Sequence, residues 1–144
     1  MEEQGLFEGS IKKPMHRNPR FALGVILVHL AVTVVHGRAH SLLHISLTYL
    51  QQVFVFVVIL AGPLLAGILL LFKAQRAAAV LLLLSMVGSL AFGAYNRFVV
   101  TGADNALHVA PGAWGTAFQI TSILLVMTEM LGCWAGIALL RAQE

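Results

Sequence analysis

The chain has 144 residues, of which 59% are hydrophobic and only 10% charged, against about 25% charged in an ordinary soluble domain. A soluble fold of this size leaves about a third of its surface facing water, so this much hydrocarbon requires lipid as its solvent. The net charge is only +3, and the basic residues stand in short pieces between apolar runs, an arrangement that argues against a nucleic-acid partner.

In chain order, residues 1–20 form a polar segment that changes from acidic (Glu2, Glu3, Glu8) to basic (Lys12, Lys13, Arg17, Arg20). It is read as a cytoplasmic tail whose basic part can lie against anionic headgroups, with His16 as a solvated residue. Residues 21–144 are read as the transmembrane domain. Its apolar runs predict helices over about 21–45, 49–72, 77–100 and 114–140, each long enough for the roughly 20 residues that cross a bilayer. The fold class is therefore all-α, an integral membrane four-helix bundle. A signal peptide is the rival reading for the first run, but Gly37-Arg38-Ala39 makes a poor cleavage site, and the run is read as a membrane helix.

The junctions differ in clarity. Thr48 and Gln51 have capping-box spacing, which places a tight turn near Ser46 to Thr48. Lys73 to Arg76 puts two charges between two apolar runs. Thr101 to Ala113 is a polar loop closed by Pro111-Gly112. With four crossings, Lys12, Lys13, Arg17, Arg20, Lys73, Arg76 and Arg141 share one side, and only Arg38 and Arg97 fall on the other. Positive charge favours the cytoplasm, so both termini are expected there, in a bacterial-type inner membrane.

Four of the six histidines lie in the first run. His29, His36, His40 and His44 are spaced by seven, four and four residues, which puts them on one stripe of a helix. Ionisable groups in a membrane helix face the bundle or a wet cavity, so the stripe is expected to look inward. Small and polar faces elsewhere match it: Gly115, Gln119, Ser122, Glu129 and Cys133 in the fourth run, Ser85, Ser89 and Asn96 in the third, and Gln52, Pro63 and Gly67 in the second. Gly132 to Gly136 has small-xxx-small spacing, read as helix packing within the monomer.

Depth divides the stripe. His29 and Glu129 fall at comparable heights, about 12 Å from the cytoplasmic end by helical rise, and are expected to pair, structurally or as proton carriers. At the outward end His36, His40 and His44 are expected to approach Asp104 and His108 of the third loop. Imidazole and carboxylate suit a transition metal such as copper, zinc or iron. His36 and His44 stand about 12 Å apart along the axis, so a site is expected to use His36/His40 or His40/His44 together with His108 or Asp104. Tyr95, Asn96 and Gln51 lie nearby as candidate cofactor contacts.

The leading functional expectation is an outward-facing, histidine-rich site that binds a transition metal, or an accessory subunit that holds a cofactor. Three others stand beside it. One is a redox subunit with haem or quinone, the quinone held by His40 and Gln51. Another is a structural small subunit of a larger membrane complex or homo-oligomer. The last is a proton-coupled transporter or channel, for which Pro63 between Gly62 and Gly67 could interrupt the second helix. Bis-histidine haem is disfavoured because only the first run carries histidines. No phosphate loop, HExxH, CxxC or nucleophile elbow is present, and the lone Cys133 offers neither a disulfide nor a thiolate pair. Whether the chain is an enzyme is left open.

Overall fold

In a computed structural model, which describes residues 18–143, the chain forms four helices long and apolar enough to cross a membrane: α1 (Pro19–Leu42), α2 (Tyr49–Leu71), α3 (Gln75–Val99) and α4 (Ala113–Arg141). By length and composition this is an all-helical integral membrane protein. Each helix also exposes large apolar side chains, among them Leu27, Val34, Phe56, Leu84, Ile123 and Met130, as lipid-facing surfaces require. Most of the polar N-terminal segment, including His16, lies outside the described residues.

Local chemistry sets the helix ends. Asn18 caps α1, its side-chain oxygen accepting from the Arg20 amide at 3.0 Å, and Pro19 occupies the first helical position, where its missing N–H costs nothing. At the other end α1 stops at Leu42, three residues short of the expected boundary. The Ile45 amide donates to the His40 carbonyl at 3.0 Å and the His44 amide to Ser41 at 3.4 Å. His44 takes the left-handed conformation, φ 55°. This is a Schellman termination with histidine in the glycine position, so its usual sequence signal is missing. The same closure ends α2, where Lys73 has φ 62° and the Ala74 amide donates to Leu69.

The capping box at the start of α2 forms as the sequence indicates. The Gln51 amide donates to Thr48 Oγ1 at 3.3 Å, and the Thr48 amide donates to Gln51 Oε1 at 2.9 Å. Farther along, α2 is not broken at Pro63; it widens into a π-helical stretch over Val55–Ala61. Proline has no amide to give the carbonyl four residues back, and its ring collides with that carbonyl. The residue four back is Ile59, and its carbonyl accepts instead from His29 Nε2 of α1 at 3.3 Å. The proline of one helix thereby fixes the histidine of another.

The helices close into a ring in which α4 packs extensively on α1 and α3, α2 packs on α3, and the α1–α2 seam is the thinnest. Gly132 lies against Met86, and Gly136 lies against Ala79 and Leu83, so the small-residue spacing serves packing within the monomer. One apolar cluster, with Ala22, Ile26, Leu70, Leu82, Met86 and Leu139 at its centre, fills the end near the termini. A smaller one, Ala39, Ala106 and Phe118, lies beneath the Thr101–Gly112 loop. Between them the interior is polar, with His29, Thr33, Ser89, Ser122, Thr128 and Glu129 all buried.

His29→Ala should destabilise the protein by about 1–3 kcal/mol, because it strands the Ile59 carbonyl in hydrocarbon. In a Pro63→Ala background, where residue 63 regains an amide for Ile59, the cost should shrink. Equilibrium unfolding of the four proteins of this cycle in mixed micelles measures both, and equal costs in the two backgrounds would contradict the assignment.

Candidate functional site

Two adjacent turns of α1 carry His36 and His40 into the space beneath the Thr101–Gly112 loop. One ligand atom each from His36, His40 and Asp104 lies within 4.8 Å of the other two. His36 is buried, and His40 and Asp104 are partly so. Phe118 of α4 packs against both imidazoles. His36 stacks on it with centroids 4.6 Å apart, and His40 meets it edge-on at 5.1 Å. The rings themselves stand 4.9 Å apart at 75°. A fully buried aromatic wedge of this kind fixes ring orientation without consuming either ring's nitrogens.

Hydrogen bonding then selects one nitrogen of His36. Its Nδ1 lies 2.8 Å from Thr121 Oγ1, and that hydroxyl donates in turn to the Ala117 carbonyl at 2.7 Å. When the hydroxyl proton stays on the Ala117 carbonyl, Nδ1–H is the donor and Nε2 keeps a bare lone pair. Nε2 is buried and has no hydrogen-bond partner. This is the support that metal-ligating histidines commonly have, one nitrogen anchored and the other free.

Asp104 completes the group from the loop. Its Oδ1 lies 2.9 Å from His40 Nε2. The contact meets the distance of an ion pair but not the direction of a hydrogen bond, since Asp104 Oδ1 makes none. His40 Nδ1 is likewise without a partner. Three side chains thus converge while buried electron-pair donors among them stay unused, a costly arrangement in an apolar interior unless something else binds there.

The loop is held rigidly enough to aim Asp104. Asn105, 2% exposed, donates to the Val100 carbonyl at 2.9 Å and accepts from the Leu107 amide at 2.9 Å. The Ala106 amide donates to the Arg97 carbonyl at 2.9 Å, and Gln119 of α4 donates to the Ala106 carbonyl at 3.0 Å. Asn105 carried no motif in the sequence; its role comes only from the loop's path.

Beside the cluster lies a cavity of about 290 Å³ at the α1–α2 seam. Apolar side chains, including Ile45, Val55, Ile59, Phe92 and Leu125, form much of its wall, together with Thr33, His36, His40, Asp104 and Arg97. Arg97, one of the two cations expected on the loop side, is 5% exposed. The last turn of α3 is π-helical over Tyr95–Val99, a distortion often found at functional sites. The guanidinium lies back over Gly93, where any Cβ would strike it. It makes no hydrogen bond or close ion pair with any described residue, and its Nη1 is buried without a partner.

The other sequence candidates fall elsewhere. His44 is exposed beyond the end of α1 and His108 is exposed on the loop, so neither joins His36, His40 and Asp104. The early Schellman turn removes the first, and Asn105 holds the second outward by accepting its amide at 3.0 Å. Gln51 donates to Asn96 Oδ1 at 3.3 Å, and Asn96 also donates to the Phe92 carbonyl. These two residues tie α2 to α3, while Tyr95 is exposed; none of the three lines the cavity, where Gln52 stands instead. The expected His29–Glu129 contact is not made. His29 engages Ile59 and Thr128, the latter at 3.3 Å, and both Glu129 oxygens are buried with no hydrogen-bond partner. Pro63 redirects the histidine toward α2.

Asn105→Ala should release the loop. Amide hydrogen exchange at Ala106 and Leu107 should accelerate by roughly ten-fold or more, as loss of a buried hydrogen-bonding side chain costs about 1–3 kcal/mol, while exchange in the middle of α4 stays unchanged. Unaltered exchange across 101–110 would contradict the pinning role.

The chain was compared with protein-family models, with curated proteins and with solved structures, and none of them matches it.

Proposed function

We propose that this is a membrane-embedded binding protein for a divalent transition metal, held by His36, His40 and Asp104. The observation that carries the reading is the convergence of the three ligand atoms within 4.8 Å, with the free nitrogen of His36 selected by Thr121. Small side-chain rotations would bring the donors to the roughly 2.0–2.2 Å radius of a bound ion. Two imidazoles and one carboxylate suit zinc, copper(II) or iron(II), and three protein ligands leave at least one position open toward the cavity. A closed structural site would have a fourth side chain there.

The site lies at the outward end in the proposed topology, with both termini cytoplasmic in a bacterial-type inner membrane. Burial of Arg97 supports that orientation. With Arg97 withdrawn from the interface, Arg38 is the only Lys or Arg among the described residues left at the loop end's surface, against Arg20, Lys73, Arg76 and Arg141 at the other, as the positive-inside tendency requires. The protein acts alone in the bilayer or as the metal-holding subunit of a larger complex.

A quinone is the second reading, favoured by the cavity's apolar wall and by the N–H donors of Arg97, which suit a headgroup carbonyl. Haem fits less well, since both histidines stand on one face of one helix and cannot serve as opposed axial ligands.

Elemental analysis and an absorption spectrum of the full chain, purified from its native membrane, test the assignment. The expected result is about one transition-metal ion per chain, lost in His40→Ala/Asp104→Ala and retained in His44→Ala/His108→Ala. Thr121→Val should weaken the metal about 10–100-fold while leaving the ligands in place. Metal-free protein carrying quinone would favour the second reading. Metal retained without His40 and Asp104 would overturn the first.

A further inference from the structure

A metal in this site would leave a charge problem. Apart from the ion, the charged groups in this part of the interior are Arg97 and the partly buried Asp104 on the cavity wall and, deeper, Glu129. If both carboxylates are ionised, a dication turns a net charge of minus one into plus one. If Glu129 is protonated, the dication turns neutrality into plus two. Either way the loaded site holds an excess of positive charge in hydrocarbon, which is costly.

The surroundings provide no protein anion to offset it. Asp104 is already a ligand, and Glu129 lies deeper, outside the cavity lining. Arg97, 5% exposed, lines the same cavity as His36, His40 and Asp104, with its Nη1 unpartnered. A guanidinium presents a planar fork of donors that matches a carboxylate. Gly93 makes room for that fork, and the π-helical last turn of α3 carries Arg97 inward.

We propose that the cavity takes a small carboxylate anion, one oxygen closing the open metal position and the carboxylate engaging Arg97. This rests on the metal reading above. The mainly apolar wall suits a short alkyl group behind the carboxylate, and the volume of about 290 Å³ leaves ample room for such an anion. Arg97 is the specificity residue: it selects anions over neutral ligands at a position that the metal alone would leave to water.

The test uses the full chain in detergent, loaded with cobalt(II), whose visible spectrum reports changes in its ligands. Acetate is the probe, with acetamide as its neutral counterpart. The wild type should show a saturable spectral change with acetate and none with acetamide. Arg97→Met should keep its cobalt and lose roughly ten-fold or more in acetate affinity, the scale of a charge-assisted pair. Arg97→Met/Glu129→Gln, which leaves no buried carboxylate without its cation, should behave alike and guards against a folding defect. If the wild type binds no cobalt, the metal reading itself fails and this inference with it. If cobalt binds normally but acetate leaves the spectrum unchanged, or binds both Arg97 variants as tightly as the wild type, the inference alone is overturned.

Discussion

A polar group inside a bilayer has no water to fall back on, so each one must find its partner within the protein. In this bundle that constraint decides the architecture where partners are found and marks the site where they are not. Pro63 deprives the Ile59 carbonyl of its helical donor, and His29 supplies another from α1. The pairing sets the register of α1 against α2, along the seam where the two helices otherwise touch least. Thr128 meets the other ring nitrogen of His29, Nδ1, so three helices meet on one imidazole.

His36, two turns along, follows the same principle to a different end. Thr121 takes one of its nitrogens, Phe118 fixes the plane of its ring, and the second nitrogen is left unused beside His40, Asp104 and Arg97. Unpaired atoms are expensive in an interior of low dielectric. Here they are concentrated around one cavity instead of being scattered, with the Glu129 oxygens and Ser89 Oγ the unpaired atoms outside its lining. Metal and anion together would satisfy the cluster atoms and Arg97. The cavity lies along the α1–α2 seam, and the loop pinned by Asn105 contributes Asp104 to its wall.

Much of the fold was legible in the sequence because its signals are additive: long apolar runs, two charges at the α2–α3 turn, a capping box at Thr48 and Gln51. The helix count, the capping box and the inward stripe of His29, His36 and His40 follow from those signals. What could not be read depends on backbone details that no residue type announces. His44 and Lys73 end their helices in a conformation usually given to glycine, so the end of α1 was placed too late and His44 was kept on the stripe. Arg97 counts in the sequence only as one of two cations on the loop side; its burial comes from a π-helical turn and the space over Gly93. The loop's path, which brings Asp104 in and leaves His108 out, rests on buried Asn105, on Gln119 of α4 and on the Ala106–Arg97 backbone bond.

In the proposed reading His36, His40 and Asp104 share one coordination sphere around a single metal ion. X-ray absorption fine structure of the zinc-loaded full chain reads that sphere directly. The predicted spectrum has nitrogen and oxygen neighbours at about 2.0–2.2 Å, outer-shell scattering from two imidazoles, and no sulfur shell at about 2.3 Å. An all-oxygen shell without imidazole scattering, or a sulfur contribution from Cys133, would contradict it.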